Sequence, residues 1–151
     1  MVANEITFKS HDDTELICFE WECSSPKAIV HIIHGMSEHS SRYNHFALWL
    51  NSKDIFVISS DLRGHGRTAG KIENVGFFKV NNGWDTVTKD IVNLSEHYKK
   101  IHSKVPMIIL GHSMGSFFAR SIAIDYPNTA NGYILSATSG HPGLLGLVGH
   151  K

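Results

Sequence analysis

The sequence predicts an α/β fold in which a mostly parallel, doubly wound sheet carries helices on both of its faces. Short apolar runs alternate along the chain with amphipathic stretches, an order that is typical of such a sheet. The chain has 151 residues, 42% of them hydrophobic, which is enough to bury a sizeable core. Its 14 basic residues balance its 14 acidic ones, so no nucleic-acid partner is expected.

Six strands are predicted. Residues 5–8 and 16–21 flank the polar turn His11-Asp12-Asp13, which is typical of an antiparallel hairpin. The other four are short apolar runs followed by glycine or polar residues, as expected for strands covered on both faces of a parallel sheet. They are residues 28–33, 55–58, 107–110 and 132–136.

Three helices are predicted between these strands. The clearest runs from Trp84 to Ile101, where apolar residues repeat at spacings of three and four. A second covers residues 42–52 and places Phe46 on its apolar side. The third begins at Met114 and is stopped by Pro127, which cannot continue a helix.

The strongest candidate site is the pentapeptide Gly111-His112-Ser113-Met114-Gly115, which has the pattern G-x-S-x-G. The pattern alone is common, but here it joins a predicted strand to a predicted helix. That context predicts a sharp turn that lifts the Ser113 hydroxyl clear of the sheet, with the flanking glycines avoiding collisions. The N-terminus of the following helix would stabilise an oxyanion formed when Ser113 attacks a carbonyl.

A second candidate segment, His34-Gly35, directly follows the predicted strand at residues 28–33. A loop at this point of the sheet supplies the other oxyanion donor to a serine in such a turn. We therefore expect the backbone N–H groups of Met36 and Met114 to form an oxyanion hole. His34 is interpreted as a loop histidine that hydrogen bonds to neighbouring backbone.

Three blocks of sequence together resemble the α/β-hydrolase superfamily. They are His34-Gly-Met-Ser-Glu-His-Ser-Ser-Arg-Tyr43, Asp61-Leu-Arg-Gly-His-Gly66 and Gly111-His-Ser-Met-Gly115. More narrowly, they are similar to the monoacylglycerol lipase and lysophospholipase branch, whose members carry H-G-x-x-E-H-x-x-R-Y, D-x-x-G-H-G and G-H-S-M-G in this order. Ile134-Leu-Ser-Ala137 fits the strand that follows the nucleophile helix in that branch.

The resemblance implies an esterase in which Ser113 is activated by a histidine that an aspartate orients. In the family order both partners follow the serine, after an inserted lid. We therefore expect residues 1–151 to be the N-terminal part of a single α/β-hydrolase domain, ending near the start of the lid, with the lid and last strands absent. Such a chain alone is expected to turn over poorly.

The implied substrates are a monoacylglycerol, a lysophospholipid or a similar acyl ester, and no metal or organic cofactor is implied. Candidate partners are a lipid surface, contacted transiently, and a second polypeptide that supplies the C-terminal half. Two alternatives stay open: an amidase or peptidase of the same fold, and a non-catalytic half that assembles with another polypeptide. Asp61, His112, His141 and His150 are not favoured as the missing acid or base.

The remaining features are read as structural. Cys18 and Cys23 form neither a C-x-x-C pair nor a disulfide framework, and no signal peptide or membrane-spanning run is visible, which favours a cytoplasmic location. Gly64-His-Gly-Arg-Thr-Ala69 is interpreted as a glycine-rich loop rather than a dinucleotide site. Phe77 and Phe78 are expected to be buried, and the histidines show no metal-ligand spacing.

Overall fold

The computed structural model describes residues 3–140, which form one six-stranded sheet with helices on both faces. The strands are β1 (Asn4–Lys9), β2 (Glu15–Trp21), β3 (Ala28–Ile33), β4 (Ile55–Ser60), β5 (Met107–His112) and β6 (Gly132–Ser136). The α-helices are α1 (Asn44–Asn51), α2 (Gly83–Ile101) and α3 (Met114–Asp125), and 3-10 turns occupy Ser40–Tyr43 and Ile72–Asn74.

The strand order is β1-β2-β4-β3-β5-β6. β1 and β2 form the predicted hairpin, and β2 pairs antiparallel with β4. β4, β3, β5 and β6 are parallel to their neighbours, so their carboxyl ends share one edge of the sheet. We call this edge the carboxyl edge. The prediction of a mostly parallel sheet is confirmed, and the sequence-based strands agree with the observed ones.

Helices pack on both faces of the sheet. Ala47 and Leu50 of α1 pack on one face against Ile32 and Val57. On the other face α2 and α3 bury two apolar clusters, one of which contains Ile91 and Phe118. This arrangement is the doubly wound one that the sequence predicts, because strands covered on both faces need near-continuous apolar runs.

Three apolar residues assigned to helix core faces are more exposed than expected. Phe46 is 40% exposed and stacks on Trp49 with 6.0 Å between ring centroids, because Ala47 and Leu50 hold the face of α1 that meets the sheet. Trp84 and Ile101 are 39% and 58% exposed at the two ends of α2. A helix of 19 residues is about 28 Å long and overhangs strands of about 20 Å.

A buried arginine joins three segments that are distant in sequence. The guanidinium of Arg63 donates two hydrogen bonds to Asp90 on α2, at 2.6 and 2.9 Å, and two to Asp12 in the β1–β2 turn, at 3.1 and 2.7 Å. These contacts hold the pKa of Asp12 well below its ordinary range. His11 lies beside the same carboxylates, whose oxygens accept hydrogen bonds from Arg63.

No helix within residues 3–140 combines the length and the apolar content needed to cross a bilayer. The loop between β4 and α2 contains the Gly64–Ala69 segment and one short 3-10 turn. No α-helix begins at Gly64 or Gly66, because the next helix, α2, starts only at Gly83. The interpretation of this segment as a glycine-rich loop is therefore confirmed.

Candidate active site

Ser113 occupies the turn between β5 and α3 in a backbone conformation that is uncommon for a residue with a side chain. Its φ is 50° and its ψ is −119°. Its N–H donates to the Ser136 carbonyl at 2.9 Å, and its carbonyl accepts from the N–H and hydroxyl of Ser116 at 2.9 and 2.6 Å. The backbone of Ser113 is thus held by the end of β6 and by the first turn of α3.

Glycines are required around Ser113 because backbone from three elements converges there. A Cβ added to Gly111 would lie 2.6 Å from the Gly115 carbonyl carbon, and one added to Gly115 would lie 2.7 Å from the His34 oxygen and nearer still to that of Ile33. A Cβ on Gly35 would lie 3.1 Å from the Cβ of Ser113. The loop after β3 therefore packs directly against the serine turn.

Glu38 holds the loop after β3 in place. Its Oε1 accepts hydrogen bonds from the Gly35 N–H and, at 2.7 Å, from the Tyr43 hydroxyl, while Arg42 lies 3.2 Å from Oε2. Burial alone would raise the pKa of Glu38, but these donors and the nearby positive charge outweigh it and lower the pKa. Glu38 is therefore an anionic anchor for the segment that includes Met36.

His34 is fully buried and bonded to backbone on both ring nitrogens. Its Nε2 accepts the Leu62 N–H at 2.9 Å, so Nδ1 carries the proton and donates to the Gly35 carbonyl at 2.7 Å. Burial lowers the pKa of this ring, which favours the neutral form. The contacts match the interpretation of His34 as a loop histidine that links the ends of β3 and β4.

The two predicted oxyanion donors lie on segments that meet at Ser113. Met114 is the first residue of α3, where backbone N–H groups have no partner within the helix. Met36 follows Gly35, the residue that packs against Ser113. In the described part of the chain, neither of these two N–H groups donates a hydrogen bond to another protein group.

The other titratable candidates are engaged elsewhere. The Asp61 carboxylate is buried and accepts the N–H groups of Ser40 and Arg67, both at 2.8 Å, which gives it a role in shaping its loop. His112 Nδ1 lies 3.1 Å from the Ser136 hydroxyl. Among residues 3–140 no side chain hydrogen bonds to the Ser113 hydroxyl, and His141 and His150 lie outside the described residues.

The chain matches a known protein family over most of its length. The profile of the family described as "Serine aminopeptidase, S33" matches residues 24–145, a stretch that contains β3 to β6, α3 and the whole Ser113 turn. The chain belongs to this family. The predicted membership of the α/β-hydrolases is thereby confirmed for the chain, and the sheet described above is the fold of that group.

Relatives of this S33-family chain include monoglyceride lipases. It is 32% identical over 125 residues to "Monoglyceride lipase" of Mus musculus, covering 82% of this chain and 39% of the mouse protein. It is 35% identical over 128 residues to "Monoglyceride lipase homolog" of Monkeypox virus, covering 82% and 43% respectively. The S33-family chain thus spans about two fifths of the length of these curated relatives.

A solved esterase structure is also similar to this chain. The crystal structure of a thermostable carboxyl esterase from Bacillus coagulans in complex with glycerol superposes with a TM-score of 0.86 at 31% identity. The match covers 98% of the S33-family chain and 48% of the esterase chain.

Glu38 is the residue of this site that sequence analysis did not single out. It is the fifth residue of the first block that carries the resemblance, and that position is the signal that could have identified it. Tyr43 ends the same block and donates to Glu38, so the block encodes one hydrogen-bonded loop.

Proposed function

We propose that this protein is a serine hydrolase that cleaves carboxylic esters through an acyl-enzyme on Ser113. The observation that supports this most is the strained turn of Ser113, packed against Gly35 and followed at once by the N-terminus of α3. In this proposal the Ser113 oxygen attacks the acyl carbonyl carbon while its proton passes to a histidine base. The alcohol then leaves with that proton, and water hydrolyses the acyl-enzyme.

The charge that develops on the carbonyl oxygen would be bound by the N–H groups of Met36 and Met114. Support comes from the position of Met114 at the positive end of the α3 dipole and from the Glu38 anchor beside Met36. His34, Gly35, Gly111, His112 and Gly115 would act as supports that let β3, the turn and α3 approach one another. Backbone donors held this way need no reorganisation during the reaction.

The proposed substrate is a monoacylglycerol, a lysophospholipid or a similar acyl ester. The names of the mouse and Monkeypox virus relatives and the glycerol in the Bacillus coagulans complex support a glycerol ester first. The family description, "Serine aminopeptidase, S33", favours one alternative, an amidase or peptidase that uses the same Ser113.

The histidine base and its aspartate are proposed to lie outside residues 3–140, in the order serine, aspartate, histidine. Residues 1–151 would then be the N-terminal part of one α/β-hydrolase domain, which the 39% to 48% shares of related chains support. A second polypeptide that pairs with the outer edge of β6, where Ile134 is 49% exposed, is the alternative source of these residues. Two free thiols, Cys18 and Cys23, support a cytosolic location.

The test compares hydrolysis of p-nitrophenyl butyrate, a monoacylglycerol and aminoacyl p-nitroanilides by the protein as expressed. Ester turnover that Ser113→Ala abolishes and Ser103→Ala leaves unchanged supports the proposal, because Ser103 is an exposed loop serine. Hydrolysis of the aminoacyl p-nitroanilides alone would contradict the esterase proposal and favour the amidase or peptidase alternative. Ester turnover that survives in Ser113→Ala would remove Ser113 from the nucleophile's role.

A further inference from the structure

The loop that follows the 61–70 segment exposes an unusual number of apolar side chains. Ile72, Val75, Phe77 and Val80 are 89%, 66%, 51% and 82% exposed. We call residues 72–80 the apolar loop. Phe77 was expected to be buried and is not, whereas its neighbour Phe78 packs inward. Exposed single apolar residues are common, but four within nine residues form a patch.

The apolar loop lies on the same side of the molecule as Ser113. It belongs to the connection that leaves the carboxyl end of β4, and Ser113 stands at the carboxyl end of β5. Met36, 71% exposed, follows β3 at the same edge. By contrast, Ile101 and Ile124, which are also exposed, stand near the C-termini of α2 and α3 at the opposite edge.

Contacts with the rest of the domain fix the backbone of the apolar loop, and its outward side chains take no part in these contacts. Phe78 packs on Phe118 and His65 with ring centroids 6.0 and 5.9 Å apart. The Gly76 N–H donates to the Gly64 carbonyl at 2.8 Å, which fixes the middle of the loop to the preceding glycine-rich segment. Phe78 thus anchors the loop, while Phe77 before it projects outward.

The charge around the apolar loop nearly cancels. Lys79 donates to Asp12 at 3.0 Å, and Lys71 and Glu73 carry opposite charges two residues apart. A surface that is apolar, close to neutral and without a cluster of cations matches a zwitterionic lipid interface better than an anionic one.

We infer that the apolar loop docks the protein on a zwitterionic lipid surface, with Ile72, Val75, Phe77 and Val80 inserted among the headgroups and upper acyl chains. This inference rests on the proposed function, because docking by this loop would bring the Ser113 edge to the interface where an acyl ester resides. Burial of exposed aliphatic side chains supplies the binding energy, so binding depends little on salt.

The test measures co-sedimentation of the protein with sucrose-loaded phosphatidylcholine vesicles at low and high salt. We expect binding that changes less than twofold with salt and a partition coefficient at least tenfold lower in the double variant Ile72→Ser/Val80→Ser. The matched control is Ile124→Ser, which removes a similarly exposed aliphatic side chain, 77% against 89% for Ile72, from the opposite edge and should bind like the parent. Circular dichroism checks each fold, and Ile72→Ser alone replaces the double variant if that one does not fold.

Equal binding by the parent and the folded loop variant overturns the inference. So does binding that appears only with anionic vesicles, or sedimentation of the parent as a dimer that Ile72→Ser dissociates, since a second copy would then cover the loop. Hydrolysis of a water-soluble short-chain ester without vesicles separates this inference from the proposed function. This hydrolysis should be unchanged in Ile72→Ser and lost in Ser113→Ala. If the docking inference is wrong but the proposed function is right, the parent still hydrolyses this ester.

Discussion

Replacing Gly115 by alanine perturbs the contact that places the serine turn against β3. The added Cβ would lie 2.7 Å from the His34 carbonyl oxygen and closer to that of Ile33, whereas ordinary Cβ contacts begin at 3.4 Å. Both obstacles are backbone, so α3 would have to withdraw from β3 by roughly 1 Å, a displacement that costs about a hundredfold in a positioned reaction. Overpacking costs about 1–3 kcal/mol, against a gain of about 1 kcal/mol from the helix propensity of alanine.

The expected outcome for Gly115→Ala is a net loss of about 0–2 kcal/mol of unfolding free energy and a fall of about a hundredfold in Ser113 acylation. Urea denaturation measures the first, and the rate of labelling by a fluorophosphonate measures the second. Gly132→Ala is the matched control, because its Cβ would meet only the flexible end of Ile108 at 3.2 Å. Labelling of Gly115→Ala within threefold of the parent would refute the packing argument.

Three further predictions concern buried charged or titratable groups, all measured by urea denaturation. Asp61→Asn should lose about 2–3 kcal/mol, because an amide cannot accept both buried N–H groups, while Asp125→Asn on the surface should change stability by less than about 0.5 kcal/mol. Arg63→Met should cost about 3–5 kcal/mol by leaving the buried Asp90 carboxylate without the guanidinium that donates to it, and adding Asp90→Leu should recover part of that loss. Burial lowers the pKa of His31 from 6.5 to about 3, so only the unfolded chain takes up a proton between these values. Stability should therefore fall as the pH drops from 6.5 towards 3, and His31→Leu should flatten this slope by at most about 1.4 kcal/mol per pH unit.

Much of the fold could be predicted because it depends on local patterns. The apolar runs of β3 and β5 indicate strands covered on both faces, and the three- and four-residue spacing of α2 indicates one buried face. The serine turn could be located as well, because a strand, a G-x-S-x-G pattern and a helix follow one another without a gap. The role assigned to Ser113 remains a prediction that the labelling experiment addresses.

The rest depends on contacts between distant parts of the chain. Arg63 meets Asp12 across 51 positions in sequence, and no periodicity connects them. The choice between Phe77 and Phe78 is similar, because adjacent identical residues give no local reason for one to face Phe118 and the other solvent. Glu38 lies close in sequence to Gly35, but its buried bond to that N–H depends on how the loop folds back.

The most direct test of the central claim is the site of covalent labelling by a fluorophosphonate in the folded protein, mapped by mass spectrometry of its peptides. In protein that includes the proposed histidine base, Ser113 should carry the label at a rate at least about a hundredfold above exposed serines such as Ser103, since the base and the oxyanion hole act on this serine together. Unfolding in urea or Ser113→Ala should abolish this label. A well-folded protein that includes this base and in which Ser113 reacts no faster than Ser103 would contradict the assignment of Ser113 as the nucleophile.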